Sequence, residues 1–272
     1  MTASRKSRTE FLGRYGPRAL VLGASEGLGE AFAQELAARG LELVLVARRQ
    51  ERLSQLAQEL SSSCGVKVDF LAADLSKPQQ LERLWQELAP REFGLAVYNA
   101  AHSPIGDFIG IDEAEHEKTL RLNCASLFKM SHRLLRQLAE RRRGGLVLLS
   151  SLSSFQGTAR VVHYAATKAY IRVLAEGLWE EMKPMGVDIL ASCPGLVDTP
   201  AYRRTGARPA PWFVPPALSP AQVARETLDY LGRGPVVIPG AMNFLAGQFT
   251  GRLLPRQLAI WLSSWGTRRL YP

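Results

Sequence analysis

Tyr164 and Lys168 stand four residues apart in the octet HYAATKAY, a spacing that places both side chains on one face of a helix. A free phenol has a pKa of about 10 and exchanges protons poorly near neutrality. A cation one helical turn away favours the phenolate, so Lys168 is expected to lower the value of Tyr164. The pair has the chemistry of a proton donor.

A second constellation lies at the start of the chain. The run ALVLG is followed by GASEGLGEAFAQELAARG, with Gly23, Gly27 and Gly29 in the pattern G-x-x-x-G-x-G. Glycines there permit a tight turn and let a pyrophosphate approach the backbone N–H groups of a helix N-terminus. Nicotinamide enzymes usually carry an acid about 20 residues further on for the ribose hydroxyls. Here the second apolar run ends LVLVARRQE, with Ala47 where the carboxylate is expected and Arg48 and Arg49 behind it. A guanidinium binds a 2′-phosphate bidentately, so NADP(H) is expected over NAD(H). Glu26, in the same glycine loop, works against that phosphate, and the arginines would otherwise cap a loop in solvent.

These residues need strands that end beside them. Apolar runs at 19–23, 41–47, 66–74, 95–100, 144–151, 187–195 and 235–240 alternate with helical stretches near 27–39, 50–60, 77–88, 113–142, 161–183 and 219–231. Strands apolar throughout are buried on both faces, and strand–helix alternation implies parallel pairing through right-handed crossovers. The expectation is an α/β, doubly wound Rossmann fold with a parallel sheet of about seven strands in one domain, residues 17–240. A flexible segment at 1–16 precedes it and a helical extension at 241–272 follows. Ligands in such sheets bind at the carboxyl ends of the strands, and the candidate residues fall there.

Bulk properties narrow the function. The 272 residues are 46% hydrophobic and 22% charged, as expected of a globular protein. Cys64, Cys124 and Cys193 are far apart, which excludes a disulfide framework or a zinc site and fits a reducing compartment. Neither a secretory signal nor an apolar stretch of about 18 residues is visible, so a cytoplasmic protein is expected. The net charge of +9 comes without a DNA-binding motif or a basic block with interleaved aromatics; no nucleic-acid partner and no metal is read from it. ERRRGG at 140–145 reads as a solvated helix end.

Taken together, GASEGLG (23–29), ADL (73–75), YNAA (98–101), Asn123, LLSSLSS (148–154), YAATK (164–168) and PGLVDT (194–199) resemble the short-chain dehydrogenase/reductase family over roughly residues 17–240. The resemblance implies catalytic roles for Asn123, Ser151, Tyr164 and Lys168. Ser151, thirteen residues before Tyr164, matches the serine that holds the substrate oxygen, with Ser150, Ser153 and Ser154 as decoys. Asn123 would brace a water that resupplies the proton through Lys168. The cofactor would lie against Gly23, Ser25, Gly27, Leu28 and Gly29, with Arg48, Arg49, Asp74, Leu75, Asn99 and Ala100 further along. Tyr164, Lys168, Pro194, Gly195, Val197 and Thr199 would flank its nicotinamide end, and Asp74 would meet the adenine amino group. Two positions depart from the pattern: Leu22 replaces the usual Thr, and Ala101 the usual Gly. The implied activity is NADP(H)-dependent reduction of a ketone or aldehyde, by a homo-oligomer. A silent dinucleotide sensor would be expected to lose Ser151, Tyr164 or Lys168, and an epimerase or dehydratase to carry a larger substrate domain.

The substrate end is less determined. The Pro-rich stretch at 196–218 reads as a binding loop, with Tyr202, Trp212, Phe213 and Val214 as apolar wall and Arg203, Arg204 and Arg208 at its mouth. A hydrophobic carbonyl or alcohol fits, whether a 3-oxoacyl thioester, a sterol-like ketone or another. His102 and His163 lack a carboxylate nearby in sequence and read as loop residues, and Asp198 as a loop cap. In the extension, Met242, Leu245, Phe249 and Leu253 share one stripe. Beyond Pro255, Leu258, Trp261, Leu262 and Trp265 share another, with Arg252, Arg256, Arg268 and Arg269 and no acid. Peripheral membrane contact and a packed cover over the pocket or a subunit interface are both open.

Overall fold

The apolar runs become seven parallel strands: β1 (Arg18–Leu22), β2 (Glu42–Ala47), β3 (Val68–Ala72), β4 (Leu95–Tyr98), β5 (Gly144–Leu149), β6 (Val187–Ser192) and β7 (Val236–Val237). They form one sheet in the order β3-β2-β1-β4-β5-β6-β7. The computed structural model describes residues 5–211 and 213–271 of the chain, so Trp212 lies outside the described residues. Because β1 pairs with both β2 and β4, the winding reverses beside it and leaves a crevice at the strand ends.

Helices cover both faces: α1 (Arg5–Tyr15), α2 (Gly27–Ala38), α3 (Gln50–Cys64), α4 (Pro78–Leu88), α5 (Glu113–Leu120), α6 (Leu127–Arg141), α7 (Val162–Met182), α8 (Pro200–Arg204), α9 (Pro220–Tyr230), α10 (Ala241–Gln248) and α11 (Arg256–Leu270). The period-2 side-chain alternation of each strand feeds two cores. Leu20 and Leu22 of β1 join Leu81 of α4, Met130 of α6 and Ile171 of α7 on one face. Ala19 and Val21 join Phe32 of α2, Leu53 of α3 and Leu228 of α9 on the other. The two layers thus hold the two halves of the site: α2 opens from the glycine loop, and α7 carries Tyr164 and Lys168.

The strands stop short of their apolar runs. Gly23, Asp74, Asn99 and Ser151 lie beyond the last paired residues and line the crevice instead. Two expectations are corrected. Residues 5–15 are helical rather than flexible, because Tyr15 is buried and its hydroxyl donates to Asp188 Oδ2 at 2.6 Å, beside an Arg14–Asp188 ion pair. The helix over 113–142 is broken by a wide π-turn at Arg121–Ser126, where Asn123 turns fully inward. The stripe Met242, Leu245, Phe249 and Leu253 faces solvent, because α10 packs through Asn243 and Gly247. Among the described residues, no helix is long and apolar enough to cross a membrane.

Candidate active site

A cleft of about 830 Å³ opens at the carboxyl ends of the strands. Its floor at one end is the glycine loop. Gly23 has φ +87°, and a Cβ there would lie 2.7 Å from the Ala100 nitrogen; Gly27 has φ +59° and a Cβ would press on Thr199. Glu26 caps α2 without a side-chain hydrogen bond, which leaves the first-turn N–H groups of that helix unclaimed by it. Gly29 does not line the cleft: a Cβ would stand 1.9 Å from the Gly23 carbonyl oxygen, so this glycine lets α2 close against the loop. The Asn99 amide donates to that same oxygen at 2.9 Å and fixes the loop from the end of β4. This is a cradle that only glycines permit, and a dinucleotide pyrophosphate fits it.

Ser25, Leu28, Arg48, Arg49, Asp74, Leu75 and Ala100 line the same end. The two arginines differ. Arg49 reaches Glu26 at 2.9 Å and Ser25 Oγ at 3.2 Å, whereas Arg48 makes no ion pair among the described residues and lies exposed at the cleft edge. Glu26 is also paired with Arg204 of α8, which with Arg49 outweighs burial and holds its carboxyl below the usual range. The acid therefore faces arginines across the loop. Burial tends to raise Asp74, but hydrogen bonds from the Ser76 hydroxyl (2.7 Å) and N–H (3.0 Å), with Arg48 and Lys77, keep it below its ordinary value.

Ser151 follows β5 and caps a 3-10 turn, accepting from the Ser153 N–H at 3.2 Å and the Ser153 hydroxyl at 3.0 Å. Ser150 is buried and donates to the Lys168 carbonyl at 2.7 Å; Ser154 is buried against Cys193. Of the four serines, Ser151 is the one whose hydroxyl lies near enough to the Tyr164 phenol to favour its ionised form. The Lys168 ammonium lies 5.4 Å from the Tyr164 ring centroid and donates to the Leu149 carbonyl at 2.6 Å.

The expected lowering of Tyr164 is overturned for the protein groups alone. Burial pushes the phenol up to about 12, against the effect of the Ser151 hydroxyl. Lys168, 3% exposed, is itself pushed down to about 8 by burial. Desolvation acts on both members of the pair and disfavours both charges, so it wins over their mutual attraction.

Asn123 is fully buried and stands outside the cleft lining. Its Oδ1 accepts from the His102 N–H at 2.8 Å, and its Nδ2 donates to the His102 carbonyl at 2.9 Å and to Thr167 Oγ1 at 3.0 Å. It clamps the loop after β4 to the turn of α7 that carries Tyr164. Pro194, Gly195, Val197 and Thr199 line the cleft opposite, and the Thr199 hydroxyl caps α8 by accepting from the Tyr202 N–H at 3.1 Å.

Tyr202, Phe213, Val214 and Arg204 line the substrate end, but Arg203 is turned to Asp198 at 2.7 Å and Arg208 stands outside the lining. His102 and His163 are not lone: the first meets Glu115, 13 residues away, and the second meets His116 Nδ1 at 3.1 Å. Asp198, paired with Arg203, does not cap the loop. What the sequence left unseen is the far wall. Gln156, Thr158, Asn243, Ser263, Thr267 and Tyr271 all line the cleft, brought there because α11 docks over the turn after Ser151. Trp265 stacks on Phe213 with centroids 4.6 Å apart, closing the loop onto the extension. No spacing links residues more than a hundred positions apart, so no local signal marked them.

A parallel sheet with a glycine cradle at one end and Ser151, Tyr164 and Lys168 converging in the middle defines a dinucleotide-dependent oxidoreductase fold. Residues 17–209 match the short chain dehydrogenase family, and the chain belongs to it. Members bind a nicotinamide cofactor and act on hydroxyl and carbonyl groups. Relatives include a 7beta-hydroxysteroid dehydrogenase of Clostridium sardiniense, 32% identical over 86% of this chain and 89% of its own length. Another is the human inactive hydroxysteroid dehydrogenase-like protein 1, 28% identical over 94% of this chain and 77% of its own length. Among solved structures, a short-chain dehydrogenase from Sphingobium yanoikuyae in complex with NADPH superposes with a TM-score of 0.77 at 29% identity, covering 83% of this chain and 89% of that one.

Proposed function

We propose that this chain is an NADP(H)-dependent oxidoreductase that interconverts a lipophilic, sterol-like ketone and its secondary alcohol, with Tyr164 as the proton donor. The observation that carries the reading is that Ser151, Tyr164 and the buried Lys168 line one cleft, with the Lys168 ammonium 5.4 Å from the Tyr164 ring centroid, at the strand ends where the glycine cradle opens. The hydroxysteroid dehydrogenase relatives and the apolar wall of Leu152, Phe213, Val214, Leu262 and Leu270 favour a sterol-like framework over an acyl thioester. One relative named as inactive means that kinship does not decide turnover; the presence of all three groups in one cleft is what argues for it.

When bound, the reduced nicotinamide would supply the hydride. Ser151 donates to the carbonyl oxygen and so stabilises charge as it develops there. Tyr164, protonated far above neutrality, is a ready donor to that oxygen. In the reverse direction its phenolate must form first, so alcohol oxidation should rise with pH. The Lys168 ammonium beside the ring stabilises the phenolate left when Tyr164 gives up its proton, and Asn123 positions α7 through Thr167 without touching the reacting atoms. Arg48, unpaired at the cleft edge, would meet the 2′-phosphate.

The test is NADPH and NADH oxidation against a carbonyl panel, with wild type and Tyr164→Phe. The variant should lose at least about a thousandfold in turnover while binding NADPH as before. An active Tyr164→Phe overturns the mechanism, and equal rates with NADH overturn the cofactor preference.

A further inference from the structure

Among the described residues, two buried side-chain oxygens of cleft-lining residues, Gln156 Oε1 and Asn243 Oδ1, have no hydrogen-bond partner, and Gln156 is the one on the turn that begins at Ser151. Gln156 is 9% exposed, lines the cleft, and ends the short turn that begins at Ser151. Its Nε2 donates to Ser263 Oγ of α11 at 2.8 Å, which fixes the amide plane. Its Oε1 is buried and accepts from no protein donor among the described residues. The hydroxyls nearest along the same seam are engaged elsewhere: Thr158 with Thr267 at 3.1 Å, and Ser264 with the Ala159 N–H at 3.1 Å. Leu152, Phe213, Leu262 and Leu270 supply an apolar surround. A buried carbonyl oxygen left unmet is destabilising, and apolar replacement would be easy if nothing used it.

We infer that Gln156 Oε1 is the acceptor for a hydroxyl on the substrate itself, remote from the carbonyl that is reduced. This rests on the oxidoreductase reading above and deepens it: the substrate is a lipophilic ketone that carries a second, hydroxylated end. The four residues of the turn, Leu152–Phe155, separate Ser151 from Gln156, five steps that at the rise of a 3-10 turn span about 10 Å. That span matches a rigid fused-ring framework with oxygens at both ends, and it exceeds the reach of a small aldehyde. The same contact orients the framework, because only one way round brings its hydroxyl to Gln156 and its carbonyl to Ser151 and Tyr164. Ser263 acts as a positioning residue: its hydroxyl holds one arm of the amide and leaves the other without a protein partner.

The experiment compares steroid monoketones with matched ketones that bear one hydroxyl at the far end, varied in position. Wild type should prefer one hydroxylated isomer over its deoxy partner by about tenfold in kcat/KM, the value of one net hydrogen bond. Gln156→Leu should bring that ratio to about one, and Gln156→Glu, which keeps an acceptor, should retain a ratio above one. Gln156→Leu removes an unmet acceptor but also the bond to Ser263, so its melting temperature checks that the variant is folded and the substrate ratio carries the test. Equilibrium binding of the same pairs to Tyr164→Phe protein reads the preference without turnover. If wild type reduces no ketone yet Tyr164→Phe protein still discriminates the pair, the activity reading fails and the Gln156 inference stands. A hydroxyl preference that persists unchanged in Gln156→Leu, or that is absent from wild type, overturns it.

Discussion

The two ends of the cleft are built by different means. The glycine-loop end takes its shape from backbone: Gly23, Gly27 and Gly29 leave no room for side chains, and Asn99 pins the loop carbonyl directly. The substrate end is stitched by side chains from distant stretches, as Gln156 to Ser263 across 107 residues, Thr158 to Thr267 across 109 and Phe213 on Trp265. A shape fixed by the absence of atoms tolerates no substitution, whereas a shape fixed by pairs of side chains can be retuned one pair at a time.

The sharpest break should come at Gly29. A Cβ there would sit 1.9 Å from the Gly23 oxygen, so Gly29→Val should lower NADPH affinity more than a hundredfold and cost several kcal/mol of stability, read by fluorescence titration and denaturant melts. Next is Arg48→Ala, which removes a charge-assisted contact and should weaken NADPH binding about 10- to 100-fold with NADH binding little changed; parallel isotherms decide it. At the other end, Trp265→Ala removes the stack on Phe213 and should raise substrate KM about tenfold with the NADPH dissociation constant unmoved. If Trp265→Ala instead shifts both constants together, the two ends are not separable.

The smallest effect is on stability. Burial depresses Lys168 from 10.5 to about 8, so below pH 8 the folded protein carries a charge that it disfavours. Between about 8 and 10.5 the unfolded chain binds the extra proton, and wild type gains stability as pH rises. Lys168→Met should therefore melt a few degrees higher than wild type at pH 7, and the gap should close through that window.

Legibility followed the same division. β1, β2 and β5 could be read because strands buried on both faces are apolar without interruption, and Gly23 to Gly29 because the cradle is local. Tyr164 and Lys168 were legible as neighbours on a helix, but not the sign of the phenol shift: burial depends on what α7 packs against, which no spacing records. The helix at Arg5–Tyr15 has a weakly patterned sequence, RKSRTEFLGRY, and is anchored by Asp188, 173 residues away. The π-turn around Asn123 depends on its bonds to His102 and Thr167. Glu115 beside His102 and Gln156 beside Ser263 were invisible for the same reason, since each needs the tertiary fold to bring its partner near.

The strand order also sets a timetable. A chain emerging from the ribosome can pair β1, β2, β3 and β4 while α10 and α11 have yet to be synthesised. Arg14 and Tyr15 must wait for Asp188, Glu26 for Arg204 and Arg39 for Asp229. The nucleotide end can thus take form early, while Phe213 and the surfaces that α11 will cover stay bare the longest. It is on that wall, rather than at the glycine loop, that a nascent chain is most exposed to aggregation and most in need of a chaperone.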